Sequence, residues 1–194
     1  MKKAAIFIYF FIFFGINSFC VEAPKVPGMS VNPLAFSVTG TDLFSQKKTL
    51  LVPEKKDALV VVFLSALCPC SNSHVSEIAA LAKSYPQISF VGIHSNSNET
   101  LEMTQAYFKN LNLPFPILQD EGAKLANQFR ALKTPHAFMI LPSGAIAYQG
   151  GVSSSADFYR SKIQFLRSAI DDVENHRAVK IREGRTLGCI IKRG

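Results

Sequence analysis

Residues 58–65 read ALVVVFLS, an unbroken apolar run rich in β-branched side chains. A run of this length, entered from the charged turn EKKD (54–57), reads as a strand buried on both faces. Such a strand must be covered from two sides, which commits the chain to a sheet with helices packed on each face. Immediately after the run come two cysteines flanking one proline, Cys68-Pro69-Cys70. Open α/β sheets place reactive groups at such carboxyl ends of strands.

The rest of the chain fits the same architecture. Leu34 to Leu51 holds one or two short strands around the turn signal TGTD (39–42). From Ser71 to Ser84 the residues Val75, Ile78, Ala79, Leu81 and Ala82 fall on one helical face. ISFVGI (88–93) is a second buried strand. Asn96 or Ser97 is positioned to cap the next helix, which carries Leu101, Ala106 and Phe108. Pro114 and Pro116 interrupt the chain before the short segment ILQD (117–120). A short helix over 122–129 leads to Thr134-Pro135-His136. AFMIL and AIAYQG, joined by PSG (142–144), read as a β-hairpin. A closing helix is expected over 156–173. The order is β-α-β-α-(β)-α-β-β-α, an α/β fold whose mixed central β-sheet is flanked by helices on both faces. With 194 residues and no internal repeat, one domain is expected.

The N-terminus stands apart. Lys2 and Lys3 precede an apolar run from Ala4 to Ile16, followed by small and polar residues, the pattern of a secretory signal peptide over residues 1–23. The run is shorter than the roughly 20 residues that span a bilayer. An exported, periplasmic or extracellular protein is therefore expected, with an uncleaved N-terminal membrane anchor as the alternative. Loss of residues 1–23 takes the basic residues from 21 to 19 and the acidic ones from 14 to 13, so the net charge falls from +7 to +6. The excess is clearest in the basic tail, 178–194, and is compatible with association at an anionic membrane surface. No aromatic-basic interleaving or nucleic-acid motif accompanies it, which argues against a nucleic-acid partner.

Cys20 leaves with the leader, so Cys68, Cys70 and Cys189 remain. An odd number cannot all pair within one chain, and an exported protein meets an oxidising compartment. Cys68 lies at a strand-to-helix junction, where free backbone N–H groups and the helix dipole favour a thiolate. Pro69 suits the first helical position. Cys68 is thus the expected nucleophile. Residues two apart at a helix start point to different sides, so a Cys68–Cys70 disulfide needs non-helical backbone. Cys189 is the rival resolving thiol, carried on a tail long enough to fold back over the site. Cys68, Cys70 and His136 also form a soft donor set suited to copper(I) or zinc. His94 ends a strand at the sheet's carboxyl edge with no evident partner, and His74 falls one turn after Cys70.

The strand-then-cysteine segment VVVFLSALCPC, FVGIHSN and TPHAFMILPSGAIAYQG together resemble the thioredoxin-like superfamily, and more closely its redoxin branch of the alkyl hydroperoxide reductase/thiol-specific antioxidant type. The resemblance runs from about Leu34 to Leu166, within a redoxin domain expected over 34–177. It implies that Thr134-Pro135 is the threonine–cis-proline step facing the cysteines. It also implies that Ser65, three residues before Cys68, stands where peroxiredoxins carry Thr or Ser and could donate to the Cys68 sulfur. The site departs from thioredoxins in having one residue, not two, between its cysteines. It departs from peroxiredoxins in lacking a proline near Asp57 or Ala58, and Arg130 is a charge partner only by loose position. The implied activity is that of a thiol-disulfide oxidoreductase or a peroxiredoxin-like antioxidant reductase. It needs no organic cofactor, acts on a protein disulfide or hydroperoxide, and draws electrons from an unidentified thiol reductant. A copper(I) carrier and a redox-inert interaction module on the same fold are the alternatives.

Overall fold

A computed structural model describes residues 38–51 and 58–194. The expected signal peptide and anchor lie outside the described residues. Strand β3 (Ala58–Leu64) is buried at every position. Its side chains alternate between two cores: Ala58, Val60, Val62 and Leu64 enter one, and Leu59, Val61 and Phe63 the other. This is why the run shows no polar alternation.

Parallel strand β4 (Ile88–His94) pairs with β3 on one side and antiparallel β7 (His136–Ile140) on the other. The eight-stranded order is β2-β1-β5-β4-β3-β7-β8-β9, with β1 Val38–Asp42, β2 Lys48–Leu51, β5 Ile117–Gln119, β8 Ile146–Gly150 and β9 Glu183–Gly184. A second ladder joins β6 (Lys133–Thr134) to β10 (Cys189–Ile190). Helices α1 (Pro69–Ser84), α2 (Leu101–Leu111) and α4 (Phe165–Glu174) contribute Ile78, Phe108 and Ile170 to one core. Helix α3 (Lys124–Gln128) covers the other face with Leu125 and Ala126. Helices on both faces of a mixed sheet are as the sequence implies, and the hairpin β7–β8 forms where expected.

Three local expectations are corrected. TGTD is not a turn but the body of β1. Gly40 is there because a Cβ would lie 2.9 Å from the Leu118 Cβ on the neighbouring strand. Helix α2 is capped by Thr100, whose hydroxyl accepts from Met103 N–H at 3.3 Å, and not by Asn96 or Ser97. The closing helix begins only at Phe165. Before it, the Ser154 hydroxyl accepts from the Lys162 and Ile163 N–H groups, and local side-chain bonds of this kind compete with helix.

The tail is built into the fold. Ile191 is buried beneath α3, its N–H donating to the Leu132 carbonyl at 2.9 Å. Lys192 bridges to the β4–α2 loop: its N–H donates to Asn96 Oδ1 and its carbonyl accepts from Ser97 N–H, each at 2.9 Å.

Candidate active site

Cys68 is the residue that caps α1. Its backbone is extended (φ −84°, ψ 112°), Pro69 opens the helix, and its sulfur accepts from Ser71 N–H at 3.4 Å. A Ser or Asp oxygen usually fills this role. Here a sulfur sits at the positive end of the helix, where negative charge is favoured. The side chain is only 1% exposed.

Facing it is the cis peptide Thr134-Pro135. The Cys68 thiol donates to the Thr134 carbonyl at 3.1 Å. Among the described residues the buried Thr134 hydroxyl has no hydrogen-bond partner; it is the carbonyl that meets the thiol. Thr134 also pairs antiparallel with Cys189, so the tail runs along the strand that the cis-proline step presents. Gly188 makes that approach feasible, because a Cβ there would stand 1.9 Å from the Thr134 carbonyl oxygen. The Sγ atoms of Cys68, Cys70 and Cys189 consequently all lie within 4.8 Å of one another, and all three are free thiols. Cys68 is buried, Cys70 half-buried and Cys189 exposed.

The three thiols are electrostatically unequal. Burial pushes the Cys68 thiol up, but the neighbouring Cys189 thiol and Thr134 side chain, together with the hydrogen bond from Ser71 N–H, outweigh it, and the net effect is downward. Cys70 is raised, by burial first and then by the neighbouring Cys68 charge. Cys189 is pushed up to about 12 by burial and by its contact with Cys68. In the reduced site the negative charge therefore settles on Cys68.

Ser65 does not donate to the Cys68 sulfur. Its hydroxyl accepts from Cys68 N–H at 3.1 Å and donates to the buried carboxylate of Glu99. Glu99 also accepts from Ala66 N–H at 2.7 Å and faces His94 Nε2 at 3.1 Å. The other His94 nitrogen meets Gln119 Oε1 at 2.9 Å. Burial alone would raise the Glu99 carboxyl, but its bonds to His94, Ser65 and Ala66 bring it below the usual carboxylate range. The anion braces the loop on which Cys68 sits. Sequence reasoning missed it, because an acid in the polar stretch SNSNET looks like a solvated loop residue. The isolated strand-end His94 was the one signal that a partner existed.

His136 does not join the thiols. It stacks on Phe138, and burial lowers it to about 4. With Arg130 it lines a separate cleft of about 480 Å³ that also includes Lys133, Arg185 and Phe129. The alternative metal set of Cys68, Cys70 and His136 is therefore not assembled, and Arg130 belongs to that other cleft. His74 is buried, held between the Cys70 carbonyl (2.7 Å) and the Ser153 hydroxyl (2.8 Å).

A mixed α/β sheet with a thiol-capped helix facing a cis-proline defines a thioredoxin-like protein. Residues 34–149 match the AhpC/TSA family, more than half of the chain, and the protein belongs to that family. Among solved structures it is similar to an uncharacterized conserved protein from Geobacillus kaustophilus (25% identity, TM-score 0.75, covering 82% of this chain and 90% of that one). It is equally similar to a hypothetical protein from Sinorhizobium meliloti 1021 (26%, TM-score 0.74, 82% and 92%). A secreted disulfide oxidoreductase from Mycobacterium tuberculosis shares the fold at 20% identity (TM-score 0.53, 59% and 84%). No curated protein matches the chain. Family and site together support a thiol redox function.

Proposed function

We propose that the protein is an exported thiol-disulfide oxidoreductase whose working couple is Cys68 and Cys189. The observation that carries this reading is the pairing of Cys189 with Thr134, which brings the sulfur of a more exposed cysteine to a buried, acidified one. In the oxidised form the two sulfurs share a disulfide. A partner thiolate attacks the accessible Cys189 sulfur and forms a mixed disulfide, and Cys68 departs as thiolate. Exchange is faster when the leaving thiol has the lower pKa, so this polarity suits the inequality between the two groups. The partner's second thiolate then attacks the partner's own sulfur. Cys189 is released and takes up a proton. Two electrons have moved from a dithiol to the protein; of the dithiol's two protons one ends on Cys189 and the other goes to solvent, because Cys68 remains a thiolate. Run backwards, the same steps reduce a protein disulfide, and the partner's potential sets the direction. The leader pattern in residues 1–23 supports an oxidising compartment.

Cys68 is nearly inaccessible, and the charge partners named above do not include an arginine, so a hydroperoxide is the less supported substrate. The test follows oxidation of a dithiol peptide by the pre-oxidised protein. Wild type and Cys70→Ser are expected to turn over comparably, whereas Cys189→Ser falls at least about tenfold. Full activity in Cys189→Ser would overturn the proposal. So would Cys68-dependent peroxide consumption far faster than that of a free thiol.

A further inference from the structure

The same three sulfurs have a property that disulfide exchange does not use. They come from two segments far apart in the chain: the start of α1, with Cys68 as its cap and Cys70 in its first turn, and the tail strand β10. They form a triangle with every side within 4.8 Å. A metal ion held at about 2.3 Å from three thiolates in one plane needs sulfurs about 4 Å apart. The required closure is less than about an ångström, and Cys70 and Cys189 have solvent-side freedom to supply it.

The donor set selects the ion. Thiolates favour soft cations, copper(I) and zinc(II) among them. Structural zinc is held almost always by four ligands in a tetrahedron. The cluster among the described residues comprises the three cysteines and no His, Asp or Glu. Both nitrogens of His74 are engaged elsewhere, and His136 lines the separate cleft. Three sulfurs without a fourth donor suit a three-coordinate copper(I) ion.

We propose that the reduced protein binds one copper(I) ion in a trigonal site formed by the Sγ atoms of Cys68, Cys70 and Cys189. The ion displaces thiol protons to solvent and stays copper(I), so no electron is transferred. A disulfide between any two of the sulfurs removes two of the three ligands. Copper binding therefore reports the reduced state and excludes the oxidised one. The proposal depends only on the geometry of the reduced thiols and survives or fails independently of the exchange activity.

The test is anaerobic titration of the reduced full chain with copper(I) against a chromophoric copper(I) chelator, with zinc(II) titrated in parallel. One equivalent of copper is expected to be withdrawn from the chelator. Loss of an outer-sphere partner costs about 10–100-fold in metal affinity, so loss of a ligand in Cys189→Ser or Cys70→Ser should cost more than ~100-fold. His136→Gln should leave the affinity within about twofold, because it touches no ligand. X-ray absorption of the wild-type complex needs no variant and should show three sulfurs at about 2.3 Å. Wild-type affinity in Cys189→Ser, a nitrogen in the first shell, or tighter binding of zinc than copper would overturn the site.

Discussion

The Cys68 sulfur occupies the position that a capping oxygen takes in most helices, and that substitution links local structure to chemistry. A hydrogen bond from a backbone N–H to an anion is stronger than one to a neutral acceptor, so the cap favours ionisation. Thiolate absorbance of the reduced protein should show Cys68 titrating below a free cysteine and Cys189 far above one. In Cys189→Ala, which removes a donor to Cys68, the Cys68 transition should move to higher pH. An unchanged midpoint would remove Cys189 from the electrostatics of the site.

Glu99 is the second decisive residue. Replacement by Ala leaves the Ser65 hydroxyl, the Ala66 N–H and the His94 ring without their common acceptor. Removing one partner from a buried network costs about 3–5 kcal/mol, to be read in a denaturant titration. Its carboxyl lies below the usual carboxylate range in the folded state. The stability it contributes is thus complete above the unfolded carboxylate pKa and is lost as pH falls through the folded value. Wild type should therefore lose stability more steeply than Glu99→Gln as pH drops below about 4.5.

Among the elements, the tail strand β10 has the largest consequence from the fewest residues. Two residues pair with β6, and a glycine permits the approach. A methyl group at Gly188 would collide with the Thr134 carbonyl, so Gly188→Ala should slow Cys68–Cys189 disulfide formation at least about tenfold without unfolding the sheet. Timed alkylation and mass spectrometry would measure it. The elements that sequence reasoning located share one property: their signals are local. The doubly buried β3 shows as an apolar run, α1 as a one-faced pattern after Pro69, and the hairpin as two apolar segments around PSG. Helix α4 starts later than its apolar pattern implies because serine hydroxyls in 153–161 accept from nearby backbone N–H groups. Strand β10 was not legible because a two-residue pairing across about fifty positions leaves no periodicity.

At the scale of the whole molecule, the sheet fixes Cys68 and the second core fixes the tail. Ile191, 2% exposed, anchors the segment just beyond Cys189. Ile191→Ala should cost about 2–5 kcal/mol of tail docking. Much of that would appear as local opening rather than global unfolding. Faster hydrogen exchange at residues 189–192, with alkylation of the otherwise buried Cys68, is the expected result. Unchanged protection would mean that the backbone bonds to Leu132 and Asn96 suffice. The three-thiol cluster was only half legible. Each cysteine could be singled out from the sequence, and the tail was a natural candidate to fold back. Which sulfur meets Cys68 depends on long-range packing of Ile191 and on the close passage at Gly188.

The most direct test of the account is a disulfide map of the full chain after mild oxidation. Non-reducing proteolysis and mass spectrometry should find the peptide bearing Cys68 and Cys70 joined to the peptide bearing Cys189. The same link should form in Cys70→Ser and be lost in Cys68→Ser. A Cys68–Cys70 disulfide that dominates while Cys189 stays free would contradict the assignment of the working couple.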